Sequence, residues 1–432
     1  LAGGGSISAS TYSGNGNGGD IMINAGNSVQ ISGYLGDYPS TIGSNSREGA
    51  TGNAGKIIIS APQVALSEFG SIQTSTETGG KAGDVTIKAG TLSVASEATI
   101  LAATMGDGNA GSINLNVDRL DLSSGGEVVA STLGKGQGGS IQVSANESVT
   151  IKGERDGFAS GLYARSKEMA FGDGGSINIT APQILLDAGG RVSATTSGSG
   201  RGGNVWFGTS DLTVTNGALV DTSSSGSGAG GDIRLNTTNL YLQNGGGIAS
   251  KGTHTGNAGS VSVNALGELR MFQGALTTEA LKAAGGNIHL EARDMILTDR
   301  SAVTSSVAAG EGGGGNVSIK TNVLVALDDS DITAKADQGY GGNITIDALS
   351  VFTTKDVNFD ASSNVTGREG KVEVRSPVTD ISSSIVDLPA AFLNIDAFLP
   401  KQCAEREEEA SSFIVRGRDG LPPQPESLFA GQ

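Results

Sequence analysis

Thirteen glycines are each followed by one residue and then by an apolar–x–apolar triplet, on a ruler of about 28 residues, a period typical of stacked repeats. They are Gly19, Gly55, Gly83, Gly111, Gly139, Gly175, Gly203, Gly231, Gly259, Gly286, Gly315, Gly342 and Gly370. Ten of the twelve spacings lie within a single residue of that period, while Gly19 to Gly55 and Gly139 to Gly175 exceed it by eight. In a stacked repeat each unit buries its apolar edge only against its neighbours. Such a chain offers long surfaces rather than one deep pocket.

The apolar pairs two and four residues after each glycine, such as Ile57 and Ile59 or Ile233 and Leu235, alternate at period two. That is a strand with one buried face. A second pair follows, as Leu92 and Val94 or Leu240 and Leu242. A third apolar column lies seventeen residues after the glycine: Ile72, Ile100, Val128, Val192, Val220, Ile248, Val303 and Ile332. Between strands two and three stand Ser124-Gly125, Asn216-Gly217 and Asn244-Gly245, residues that accept the positive φ of a tight corner. Glycine-rich runs such as 197–203 close each coil. No helix of ten or more residues fits the period. The sequence therefore predicts an all-β, single-stranded parallel β-helix over 1–375, with about 13 coils of about 28 residues and three strands each. The crossover rule favours a right-handed winding. At ~4.8 Å per coil the stack extends about 58 Å.

The two long repeats place eight extra residues near 34–50 and 154–171, carrying Tyr34, Tyr38, Phe158 and Tyr163. Insertions in a solenoid map to protruding loops, so these aromatics are candidate interaction residues; the plainer reading packs them onto the rod. At the other extreme, Leu1 to Ala9 matches the third strand of a coil. The chain opens without methionine and reads as a processed or truncated piece of something longer. Gly5 and Ile7 would then lie on an open edge, a template for pairing. Beyond Val374 the repeat dissolves into 376–432, a cap or docking tail with a strand-like Ser411 to Gly417, so Phe413, Ile414 and Val415 join Gly5 and Ile7 as candidate assembly residues.

The formal charge of −16 argues against nucleic acid as a partner, because polyphosphates need a basic face. Sixty-nine glycines exceed the usual share of about 7 per cent more than twofold, but without the every-third spacing of collagen. A single cysteine, Cys403, provides no disulfide framework.

The glycine-anchored coils, with the ending Cys403 and then Ser411-Ser412-Phe413-Ile414-Val415-Arg416-Gly417-Arg418-Asp419-Gly420-Leu421-Pro422-Pro423, resemble the C-terminal regions of filamentous haemagglutinin-like exoproteins of the two-partner secretion group, in their cyanobacterial form. The resemblance covers essentially the whole chain. It implies export through an outer-membrane secretion partner and a secreted, cell-surface life as an adhesin or fibre.

Chemistry is harder to find. A polysaccharide-cleaving β-helix needs carboxylates converging on one face, often with a basic residue or calcium. The best local set is Asp299, Arg300, Asp328, Asp329, Lys355 and Asp356, yet it occupies the corner where other coils place Ser, Asn and Gly. His254 and His289 fall in different columns, which argues against a transition-metal site. The Asn, Asp or Ser that follows most anchor glycines reads as a turn ladder bonding backbone groups. Trp206 points outward beside Arg234 one coil on, suggesting a cation–π stack, or less readily a sugar platform. Thr76, Thr104 and Thr132 form one column that an ice-binding reading would need exposed, although Lys251 and Lys335 interrupt the neighbouring one. Taken together the residues point to a non-enzymatic rod without cofactor, adhesive or structural, stacking head to tail. The alternative is a β-helix that binds or cleaves polysaccharide, with surface glycans as partner.

Overall fold

The computed structural model describes residues 1–167 and 171–377. Among them there is no helix, and two large parallel sheets stack coil upon coil. The third-face sheet has thirteen strands, from Ser6–Ser8 to Asn358–Asp360, each paired with the equivalent strand of the next coil. The sheet of the first and second faces runs in the same order from Ile21–Asn24 to Val372–Arg375. Register follows the ruler: Ile113 pairs with Ile141 on one side and Val85 on the other, each a single period away. The fold is a parallel β-helix of about twelve turns.

The coil departs from the expected three short strands in one respect. The first two faces are usually one continuous strand of ten to twelve residues, as in Ile57–Ser67, Val85–Ala95 and Ile177–Asp187. The bend between faces lies within the strand. In Ile57–Ser67 the alternation of buried Ile57, Ile59 and Ala61 gives way to two exposed residues, Pro62 and Gln63, before Val64 and Leu66 turn inward again. Ladder bonds from adjacent coils carry the backbone round this corner, so no turn is needed. The faces separate where hydrogen bonding lapses, as between Ile233–Thr237 and Asn239–Gln243.

The corner into the third face is a true turn. Ser124 and Gly125 have φ of 49° and 80°, Asn216 and Gly217 51° and 74°, and Asn244 and Gly245 48° and 78°. Two successive left-handed residues make the tight reversal that Asn-Gly favours. Asp299 and Arg300, and Asp328 and Asp329, adopt the same conformation in their coils. The core is a continuous stack of Ile, Val and Leu columns, with Phe207 its largest side chain. Each fully buried aliphatic side chain contributes about 1.5–3 kcal/mol.

Both long coils spend their extra residues alike. Thr41 and Gly161 open their third-face strands six positions later, counted from Gly19 and Gly139, than Ser71 does counted from Gly55. Six residues therefore enter before the third face, and two more in the closing loop. At this corner each coil extrudes a small antiparallel hairpin, Tyr34–Leu35 with Tyr38–Pro39, and Glu154–Arg155 with Phe158–Ala159.

Candidate interaction surfaces

The residues beside the anchor glycines are occupied in holding the coils together. Asp84 Oδ1 accepts from Ser112 N–H at 2.9 Å, Asn204 Oδ1 from Asp232 N–H at 2.9 Å, and Asn316 Oδ1 from Asn343 N–H at 2.9 Å. A parallel row two residues before the glycines does the same, with Asn53 accepting from Lys81 N–H and Asn109 from Gln137 N–H. Every such bond runs from a side chain of one coil to the main chain of the following coil. A groove of about 560 Å³ runs along Gly139, Gly175 and Gly203, but Asn109, Asp173 and Asn204 on its walls all serve this ladder.

The first hairpin carries an exposed apolar tip, with Tyr38 76 % and Tyr34 57 % exposed. Tyr34 also packs edge-on against Phe69 of the next coil, 5.4 Å between centroids at 89°. Phe158 on the second hairpin is 57 % exposed. That hairpin leans back over earlier coils, where Arg155 Nε stands 3.2 Å from Glu97 Oε1.

Tyr163 departs from the loop expected for it. It closes the third-face strand Gly161–Tyr163 and is 3 % exposed. Its ring lies back along its own strand above Gly161, where an added Cβ would come within 2.7 Å of Tyr163 Cζ. The hydroxyl donates to Ala159 O at 2.6 Å. The Arg165 guanidinium covers the ring at 3.6 Å from its centroid. Burial, aided by the Glu127 carboxylate, pushes the phenol up to about 12 against the pull of Arg165. Burial likewise lowers Arg165 from its ordinary value and raises Glu127.

Trp206 and Arg234 are register partners on adjacent strands. The indole, however, folds over Gly208 of its own strand, where a methyl would collide with its Cη2. The cation–π contacts among the described residues are instead Arg165 on Tyr163 and Arg368 on Tyr340. A glycine two residues along leaves an aromatic room to lie flat, and this local contact displaces the cross-coil one.

The threonine column faces inward. Thr76, Thr104 and Thr132 are fully buried, which removes the exposed array that ice binding requires. They continue the inward phase of Ile72, and Thr76 donates to Gly80 O at 2.8 Å inside the closing loop. Thr132, Thr196 and Ser224 occupy the same column, and their hydroxyls have no hydrogen-bond partner among the described residues.

The carboxylate set behaves as a turn ladder. Asp329 N–H donates to Asp356 Oδ2 at 3.1 Å, Asp328 N–H to Thr354 Oγ1 at 3.2 Å, and Asp299 pairs with Arg300. Among the described residues no three His, Cys, Asp or Glu side chains gather to hold a metal. Gly5 accepts from Thr41 N–H and Ile7 pairs with Ile42, 41 % exposed on the first third-face strand. Phe413, Ile414, Val415 and Cys403 lie outside the described residues, as does nearly all of 376–432. Sequence reasoning passed over Arg165, Lys167 and Arg191, whose signal was three cations at outward positions in or just after two adjacent third-face strands. Comparison with family models, with curated proteins and with solved structures gave no match.

Proposed function

We propose that this chain is a non-enzymatic, extracellular structural or adhesive rod, a surface fibre or filament subunit that stacks head to tail. The observation that carries the reading is the employment of its polar side chains: Asp84, Asn204, Asn316 and their equivalents bond the next coil's backbone. At the most enzyme-like corner Asp356 accepts from the backbone N–H of Asp329 in the coil before, and Asp299 pairs with Arg300. The resemblance of the coils and of residues 403–423 to filamentous haemagglutinin-like exoproteins supports secretion through an outer-membrane partner and a place at the cell surface. Stacking draws support from the in-register pairing of each coil with the next, as Ile113 with Ile141, a pattern that a second copy of the same repeat can continue.

Electron microscopy of the purified chain across a concentration series tests the assembly. Filaments lengthening with concentration are expected, and isolated short rods throughout would rule out self-assembly. A polysaccharide-cleaving reading predicts saturable cleavage of an acidic polymer that is lost in Asp329→Ala, and the rod reading predicts none.

A further inference from the structure

The third face carries a hollow of about 510 Å³ over adjacent coils, lined centrally by Arg165, Lys167, Arg191, Ser193, Thr195 and Ser197 and at its two ends by Leu133 and Asp221. Arg165 and Lys167 follow Gly161 and Tyr163 at alternate, outward positions. Arg191 begins the neighbouring strand, paired with Gly161. Tyr163 lies flat beneath Arg165, and Arg165 Nε donates to Ser193 Oγ at 3.2 Å, so one guanidinium is held in place. Arg165 feels the attraction of the Glu127 carboxylate and, less strongly, the opposing charge of Arg191. Among the described residues, none of the three cations has a carboxylate within ion-pair distance.

The rest of this column makes the lack of a direct ion pair informative. Lys251 stands at the position equivalent to Arg165 three coils on and meets Glu279 of the next coil at 2.6 Å. Lys335, again equivalent, meets Asp360 at 2.7 Å. The residue facing Arg165 from the next coil is Thr195. In a chain of charge −16, a pinned and partly desolvated arginine beside two further cations is costly unless an anion joins them. Among the described residues two carboxylates stand by: Glu127 one coil before, whose charge acts on Arg165 and Lys167, and Asp221 one coil after, on the wall of the hollow and engaged by Ser223 N–H.

From this pattern of central cations, hydroxyl-bearing walls and flanking carboxylates, we infer that the hollow binds an acidic sugar residue, its carboxylate between Arg165 and Arg191 and its hydroxyls on Ser193, Thr195 and Ser197. Guanidinium forks suit a planar carboxylate, and the serine and threonine hydroxyls donate or accept as a sugar requires. This inference names a ligand class for the adhesive reading above and rests on it.

The test is calorimetric titration of the full chain with short oligogalacturonate, the matching neutral galactan oligomer, and inorganic phosphate. The expected result is saturable oligogalacturonate binding, at least tenfold weaker for the neutral oligomer, for phosphate and in Arg191→Gln or Lys167→Gln. Both altered side chains are exposed and make no internal ion pair, so these variants keep the fold. Equal binding of the neutral oligomer, preference for phosphate, unchanged affinity in both variants, or no heat at millimolar oligomer would each overturn the site. Filament imaging of Arg191→Gln reads the rod independently, so failure of the site and failure of the rod are separable.

Discussion

Asp84 Oδ1 accepts a hydrogen bond from Ser112 N–H, one coil away, at 2.9 Å. In this bond the side chain takes the place of a backbone carbonyl where the anchor glycine interrupts the ladder. Asp84→Ala leaves Ser112 N–H without that partner and should cost about 1 kcal/mol. Asp84→Asn keeps the acceptor and should fall within about 0.5 kcal/mol of wild type. Urea midpoints at unchanged slope report both.

Gly111 is required by its neighbour rather than by its dihedrals. A Cβ there would run into the carbonyl oxygen of Gly83, one coil before, and the atoms it meets are all main chain, which leaves nothing to yield. Gly111→Ala should destabilise by about 3 kcal/mol. Gly79, with open space around its Cα and no positive φ, is the control. Gly79→Ala should raise stability by about 0.4–1 kcal/mol through the unfolded chain.

The buried hydroxyl column predicts opposite signs for one substitution. Thr132 Oγ1 has no hydrogen-bond partner among the described residues, so Thr132→Val should stabilise by about 1 kcal/mol. Thr76 donates to Gly80 O and lies 2.9 Å from Thr104 Oγ1, so Thr76→Val should destabilise by about 1–3 kcal/mol. Thermal melts of the two variants separate the cases.

Tyr163 sets an alkaline limit. Its phenol is raised to about 12, first by burial, above the value near 10 of an unfolded chain. A raised value means that its contribution is complete below about pH 10 and is lost as pH climbs through about 12. An ultraviolet titration should show a phenol ionising near 12, and Tyr163→Phe should remove that late step.

The hairpin tips permit a direct functional assay. Tyr38 makes little contact with the rod, so Tyr38→Ser should leave the melting temperature unchanged, whereas Tyr34→Ala forfeits the Phe69 contact at about 0.5–1.5 kcal/mol. If the hairpin meets a surface ligand, Tyr38→Ser loses adhesion without losing fold.

The ruler made the stacking register legible because each coil repeats the same alternation, and Ile113 pairs with Ile141 for the reason that both follow an anchor glycine by two. Continuity across the first corner was hidden, since Pro62 and Gln63 look like a turn and only the neighbouring coils show that they are not. The burial of Tyr163 was not legible, because alternation fixes which face a side chain leaves from and not where its ring comes to rest; Gly161 and Arg165 decide that. The inward phase of Thr76 was available by counting in twos from Ile72. The basic hollow was dispersed through the sequence, with Arg191 distant from Arg165 until the coils stacked.

The two hairpins leave the same corner of coils four rungs apart. Their bases are therefore about 19 Å from one another at ~4.8 Å per rung, held by hydrogen-bonded sheet rather than by a linker. That interval is quantised. Removing one whole coil between them would shorten it by a single rung and leave both tips chemically untouched, so the pitch of the pair can be reset by whole repeats and by nothing smaller.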